Sequence, residues 1–218
     1  MDRWSYDFQI SIKNLKNYIF DFDGTLGDSK EGIISSFRKA CKNTNITPLL
    51  SLNDKNLIGP SLDQLVIDIA GPETTKRKRD LLRLEFIKIY DEIEYKKTTP
   101  YLNLESALKK LKLNNKKLYI VTNKREKITK KILNHFGWTD LFLEVYGSDT
   151  HSSGHTKSEL INLLVENLSI ERSETCYIGD KFEDEIASLE NNLKFFYASW
   201  NEDCDGKGLS SPNELLIT

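Results

Sequence analysis

The sequence predicts an α/β fold: a Rossmann-like parallel sheet core with an inserted α-helical cap domain. Three observations lead there. After residue 100, short apolar runs of strand character alternate with segments of helical periodicity, the pattern of repeated βα units and of a parallel sheet covered by helices. Before it, Asn17-Tyr18-Ile19-Phe20 has the look of a buried parallel strand. Between the two lies a stretch with no convincing strand, where roughly 70 helical residues far exceed what a crossover requires. The expected division is residues 1–26 and 98–218 as the core and residues 27–97 as the α-helical cap.

Taken in order, Asn17 to Phe20 is the first strand. Ile33, Ile34 and Phe37 then suit one cap helix, and Leu62, Leu65, Val66 and Ile69 a second. Leu81, Leu82, Leu84, Phe86, Ile87, Ile89 and Tyr90 suit a third, long one, and Lys76-Arg77-Lys78-Arg79 is its solvated start. Leu104, Ala107, Leu108 and Leu111 fall at i, i+3, i+4 and i+7 and mark an amphipathic helix. Leu118 to Thr122 is a strand. Ile128, Ile132, Leu133 and Phe136 mark a helix that Gly137 stops. Phe142 to Tyr146 is a strand, and Leu160, Ile161, Leu164, Val165 and Leu168 mark the next helix. Cys176 to Gly179 is a strand, Ile186, Ala187 and Leu189 mark a helix, and Phe195 to Tyr197 is the last strand.

Composition narrows the function classes. Apolar residues make up 39% of the 218 positions and charged residues 29%, as in a soluble globular protein. No apolar stretch reaches the ~20 residues that span a bilayer. The N-terminal residues lack the basic and apolar regions of a signal peptide. Net charge is −2 with both signs mixed, which offers no surface for nucleic acid. Cys41, Cys176 and Cys204 are odd in number and far apart, and they read as reduced thiols of a cytoplasmic protein.

The chemistry is concentrated at strand ends. Asp21 and Asp23 stand at the C-terminal end of the first strand, where open α/β sheets place ligands. Carboxylates at the end of a buried strand need pairing or a metal. Gly24 lets the chain leave the strand sharply, and Thr25 adds a hydroxyl and a free N–H. A nucleophilic carboxylate, a second carboxylate that moves a proton and a Mg2+ ion between them make a phosphoryl-transfer centre. Thr122-Asn123-Lys124 ends the second core strand and offers a hydroxyl and free backbone N–H groups to a phosphoryl oxygen. Gly179-Asp180 ends a later strand with Asp184 four residues on, so that both acids can face one cation if a helix begins after residue 180. Lys157 opens a helix and can supply counter-charge. Each of these alone is an ordinary cap, surface lysine or first-turn acid. Their order on successive strand ends is what carries the functional reading.

With those residues in view, the chain resembles the haloacid dehalogenase superfamily of phosphatases. The first motif is Asp21-Phe22-Asp23-Gly24-Thr25-Leu26, extended by Asp28-Ser29; the second is Thr122, the third Lys157, and the fourth Gly179-Asp180 with Asp184. The helical insertion is similar to the subclass with an α-helical cap. Ile58-Gly59-Pro60-Ser61-Leu62 and Val121-Thr122-Asn123-Lys124 resemble its phosphoglycolate-phosphatase-like group. The departures are Ser158 after Lys157, Pro100-Tyr101 where Pro-Gly is usual, Asn191-Asn192 where Ala-Gly is usual, and Gly27 in place of an apolar residue. None of them removes a reacting group.

The resemblance implies a cytoplasmic, Mg2+-dependent phosphatase of a small phosphorylated metabolite, a phosphoglycolate-like phosphomonoester. Asp21 is then the nucleophile that forms an aspartyl-phosphate, and Asp23 the general acid and base. Thr122, Asn123 and Lys157 hold the phosphoryl oxygens. The metal falls to Asp21, the backbone carbonyl of Asp23, Asp180 and Asp184, and the cap hinges near Gly27 and Lys97 to Pro100 to close over the site. A phosphomutase or pyrophosphatase on the same scaffold is the alternative, and a non-catalytic regulatory protein is a third, disfavoured because Asp21 and Asp23 are both kept. Three features are set aside. Asn201, Asp203, Asp205 and Gly206 copy half a calcium loop, but Pro212 stands where a bidentate Glu is needed. His135, His151 and His155 need no role, and Trp138 and Trp200 read as packing anchors.

Overall fold

The computed structural model describes residue 12 and residues 14–52, 57–151, 154–201 and 208–216. The N-terminal segment, Cys204 and the calcium-like stretch from Asp203 to Gly206 lie outside the described residues. The chain divides into two compact units, Met1–Gly27 with Pro100–Thr218, and Asp28–Thr99. Among the described residues no helix is long and apolar enough to cross a membrane.

The first unit is an α/β layer structure. Its strands are β1 (Asn17–Phe20), β4 (Lys117–Val121), β5 (Glu144–Tyr146), β6 (Thr175–Gly179) and β7 (Lys194–Tyr197), all parallel, in the order β5-β4-β1-β6-β7. The two-residue strands β2 (Gly27–Asp28) and β3 (Thr99–Pro100) pair with each other. From β1 the chain adds β4 and β5 on one side and then crosses back to add β6 and β7 on the other. The reversal leaves a crevice beyond the C-terminal ends of β1 and β6, where doubly wound sheets bind their ligands. Register places Phe20 beside Ile178, so the residues that follow both strands emerge at one level.

Helices α4 (Leu104–Leu113), α5 (Glu126–Phe136), α6 (Lys157–Asn167) and α7 (Phe182–Glu190) connect these strands. Alternation along the strands sends Ile19, Tyr119, Val121 and Tyr177 into one buried cluster with Leu160, Ile161, Leu164 and Val165 of α6 and Ala187 of α7. Each of the Ile, Leu and Val side chains among them contributes about 1.5–3 kcal/mol by leaving water. Tyr177 is wholly buried, and its hydroxyl donates to the Val121 carbonyl at 2.7 Å, tying β6 to β4 across β1. Helix ends follow local chemistry. Thr156 and Glu159 form a reciprocal capping box at the start of α6, and Gly137 ends α5 at φ 71°.

The second unit is helical: α1 (Lys30–Thr44), α2 (Leu62–Ala70) and α3 (Lys76–Glu92). Phe37 of α1 packs on Phe86 of α3 with ring centroids 4.2 Å apart, and Phe86 stacks on Tyr90. The buried carboxylate of Glu94 is met by Lys39 at 2.5 Å and Lys97 at 3.2 Å.

Apolar periodicity misjudges faces of α3 and α7, and Leu168, counted with the stripe of α6, is its exposed C-cap. In α3 the buried stripe is Leu82, Phe86 and Tyr90, while Leu81 and Leu84 are exposed. In α7 Ile186 and Leu189 are exposed, and the buried face is Asp184, Ala187 and Ser188. The polar residues go inward there because Asp184 serves the crevice and the Ser188 hydroxyl bonds back to the Asp184 carbonyl at 2.7 Å. Asn192 takes the left-handed conformation after α7, at φ 56°.

Replacing Tyr177 by Phe deletes one buried hydrogen bond and little volume. Urea denaturation is expected to show a loss of about 1–2 kcal/mol with an unchanged m-value. An unchanged midpoint would show that this bond contributes nothing to the β6–β4 tie.

Candidate active site

The site begins where β1 ends. Asp21 continues the ladder by donating its N–H to the Ile178 carbonyl at 2.9 Å, so its side chain is fixed at the mouth of the β1–β6 crevice. The chain then turns tightly. The N–H groups of Leu26 and Gly27 donate to the Phe22 carbonyl at 2.8 and 3.0 Å, and Gly24 sits at φ 89°. A Cβ at Gly24 would lie 2.2 Å from the Asp180 carboxylate, so only glycine lets the turn pass over that acid. Thr25 does not present a free N–H as expected: it donates to Phe22 at 3.3 Å, while its hydroxyl donates to Asp180 at 3.2 Å. Two residues beyond β7 complete the turn. The Trp200 indole N–H donates to the Thr25 carbonyl at 2.9 Å and the Asn201 amide to the Gly24 carbonyl at 2.6 Å. Trp200 is thus a hydrogen-bonding clamp.

Three acids converge. Asp21, Asp180 and Asp184 each offer a carboxylate oxygen, and these atoms all lie within 4.8 Å of one another. Asp21 and Asp184 are buried, at 2% and 0% exposure. Lys157, at the first position of α6, reaches between them with Nζ 3.2 Å from Asp21 Oδ1 and in hydrogen-bond contact with Asp184 Oδ1. The other Asp184 oxygen accepts the N–H groups of Asp180 and Lys181, both at 3.1 Å. Asp184 therefore has its bonds spoken for by the lysine and the start of α7. Asp21 Oδ1 differs: it is buried and has no aligned hydrogen bond, only the ion-pair contact with Lys157.

The electrostatics follow from burial. Burial raises the Asp21 carboxyl to about 6, with Asp184 and Asp23 adding to the rise and Lys157 and the Thr122 hydroxyl opposing it. Asp180 is pushed up to about 7, chiefly by burial and then by Asp21 and Asp184, against Lys181 and Lys157. Lys157 is raised above its ordinary value because its two carboxylate neighbours outweigh its burial.

The remaining expected residues are placed as follows. Thr122 is buried directly after β4. Its N–H is not free, because it donates to the Tyr146 carbonyl at 3.0 Å, and its hydroxyl accepts the Lys124 N–H at 3.3 Å. Asn123 lies half-buried in the same turn. The Asp23 carboxylate stands apart from the three-acid cluster and is held by Lys124, whose Nζ lies 2.9 and 3.0 Å from its two oxygens. Lys124 was not singled out from the sequence as a partner of Asp23; a lysine in a strand-to-helix turn carries no signal of its own. His135 and His151 are exposed, and His155 Nδ1 lies 3.9 Å from the Glu159 carboxylate.

Comparison with known proteins agrees with this arrangement. The model of the haloacid dehalogenase-like hydrolases matches residues 18–198. The chain belongs to the haloacid dehalogenase-like hydrolase family. It is an enzyme of that hydrolase class. It is 32% identical over 182 residues to a phosphoglycolate phosphatase of Psychrobacter arcticus, covering 80% of this chain and 79% of that one. It is 27% identical to a 5′-nucleotidase of Pseudomonas aeruginosa, covering 81% and 79%. A predicted phosphatase from Clostridium acetobutylicum superposes with a TM-score of 0.74 at 26% identity, covering 83% of each chain.

Enzymes of this family generally use a divalent metal, and the residues here fit one. The cluster supplies hard oxygen donors, it packs three carboxylates beside one lysine, and it holds a buried Asp21 oxygen without an aligned hydrogen bond.

The raised acids give a pH dependence. Their folded values, about 6 and about 7, lie above the ~3.9 of an unfolded Asp. The stability they contribute is complete below pH ~4 and is lost as pH rises through 6 to 7. A divalent cation held by the deprotonated cluster would offset that loss. The Tm gain from millimolar MgCl2 over EDTA is therefore expected to be larger at pH 8 than at pH 5, as read by thermal denaturation. Equal gains at both values would contradict the assignment of the metal to these acids.

Proposed function

We propose that the protein is a Mg2+-dependent phosphatase of a small phosphomonoester, acting through an aspartyl-phosphate on Asp21. The observation that carries this reading is the contrast between the two acids of the first motif. Asp21 faces the cluster with Lys157, and Asp23 is held outside it by Lys124. This contrast supports one carboxylate as the nucleophile and the other as the proton carrier.

Asp21 attacks phosphorus in line and takes the phosphoryl group, while Asp23 protonates the departing oxygen. Asp23 then accepts a proton from water, whose oxygen attacks phosphorus and returns the electron pair of the broken bond to Asp21. Lys157 and Thr122 bind phosphoryl oxygens, Asn123 adds a further contact, and Lys157 also holds the Asp21 carboxylate in line. Asp184 keeps Lys157 in place and, through the N–H groups of Asp180 and Lys181, fixes the start of α7. Asp21, Asp180, the backbone carbonyl of Asp23 and, through water, Asp184 would hold Mg2+. The ion supplies charge that neutralises phosphate and carboxylates together.

The names of the relatives favour a small anionic substrate such as phosphoglycolate, with a nucleoside monophosphate as the competing reading. The same reading gives residues 27–97 the role of a substrate-selecting cap. Phosphate release over a panel that includes both compounds separates the two substrates. Within the panel, Asp21→Asn is expected to leave less than about a hundredth of the parent turnover with the fold intact by circular dichroism. Asp23→Asn is expected to lose about 10²–10⁴ in rate. Parent-like turnover of Asp21→Asn would move the nucleophile elsewhere.

A further inference from the structure

Lys124 is a charged side chain at the crevice that the mechanism above leaves without a task. Its side chain is 6% exposed, and the Asp23 side chain it meets is 10% exposed. The ammonium straddles the carboxylate at 2.9 and 3.0 Å, which fixes both the position of Asp23 and the rotation of its plane. The Phe22 ring lies 5.7 Å from the same ammonium and limits its movement on another side.

The backbone holds Lys124 there. Its N–H donates to the Thr122 hydroxyl at 3.3 Å, and its carbonyl accepts the Ser148 N–H at 3.2 Å. Gly147, just past β5, makes this possible: a Cβ there would lie 2.5 Å from the Lys124 carbonyl oxygen and 2.3 Å from the Glu126 nitrogen. The ends of three neighbouring strands thus meet in one contact, with β1 supplying Asp23, β4 supplying Lys124 and β5 the glycine that admits the turn.

We infer that Lys124 is a positioning residue for the proton-transfer step, holding the Asp23 carboxylate aimed at the water that hydrolyses the aspartyl-phosphate. The inference rests on the proposed roles of Asp21 and Asp23. In the step concerned, the water oxygen forms the new bond to phosphorus and its proton passes to Asp23. The bond between phosphorus and the Asp21 oxygen breaks, with its electrons returning to Asp21. Without Lys124 the carboxylate loses the two contacts that fix the rotation of its plane and is no longer held toward that water. Formation of the phosphoenzyme from an ester with a good leaving group needs no such proton transfer and is spared.

The test uses p-nitrophenyl phosphate with the Mg2+-loaded full chain in a stopped-flow instrument. Lys124→Met, which keeps the length of the stem, is expected to show a burst of one p-nitrophenolate per active site. A steady state at least about tenfold slower than the parent then follows, at the low end of what proton transfer contributes. Lys124→Arg is expected to restore a substantial part of the steady-state rate. If Lys124→Met slows burst and steady state together, or raises KM with kcat unchanged, the inference is overturned, in favour of a structural or a substrate-gripping lysine respectively. Asp23→Asn, run alongside, separates the two levels. Normal turnover there refutes the role of Asp23 itself, whereas a burst there without one in Lys124→Met refutes only the role of Lys124. Gly147→Ala serves as a second perturbation of the same contact, expected to reproduce the burst while thermal denaturation reports whether the fold survives.

Discussion

Three carboxylates within 4.8 Å of one another, two of them buried, with a single lysine between them, are the condition around which the rest of the core is arranged. Two unit charges about 4 Å apart repel by ~4 kcal/mol at the effective dielectric of a protein surface, so the group cannot be fully ionised at no cost. The fold answers in stages. Lys157 neutralises part of the charge. The N–H groups of Asp180 and Lys181 take one oxygen of Asp184, and the Thr25 hydroxyl takes one of Asp180. What is left appears as the raised values of Asp21 and Asp180, a demand for positive charge that a divalent ion and the surrounding donors can meet.

The scaffold makes this crowding possible by rigidity. The acids emerge from two adjacent strands whose register is locked from Asn17 to Phe20 and from Thr175 to Ile178, at the point where the strand order reverses. Glycine is required where backbone and carboxylate nearly touch. A Cβ at Gly24 would meet Asp180 at 2.2 Å, and one at Gly179 would meet Asp184 at 2.4 Å. The turn between Asp21 and Gly27 is held from within by the Phe22 carbonyl and from outside by Trp200 and Asn201. Side chains set on such a frame keep their orientation without substrate, which is what electrostatic catalysis asks of a site.

The sheet and its acids were legible because their signals are local. Phe20-Asp21 marks a strand end by composition, and Asp180 and Asp184 follow a strand at a spacing that a helix start brings together. The cross-strand contacts were not legible. Lys124 looks like any lysine in a turn, and only the β1–β4 register brings it to Asp23. Trp200 and Asn201 lie about 175 residues from the turn they clamp, so no pattern along the chain links them. The free N–H groups expected at Thr122 and Thr25 are taken by Tyr146 and Phe22, bonds that exist only once β5 and the β1 turn have formed. Periodicity failed at α7 for a related reason: Asp184 and Ser188 turn inward to serve the crevice, and the apolar Ile186 and Leu189 are left outside.

The most direct test of this account is to find where the phosphoryl group goes. The Mg2+-loaded enzyme would be mixed with excess phosphomonoester, quenched in acid within milliseconds and reduced with tritiated borohydride, which converts an acyl phosphate into an alcohol and leaves a free carboxylate untouched. Peptide mapping then locates the label. The account predicts label as homoserine at position 21, with none at positions 23, 180 or 184. Label at another acid, or none while phosphate is being released, would contradict it.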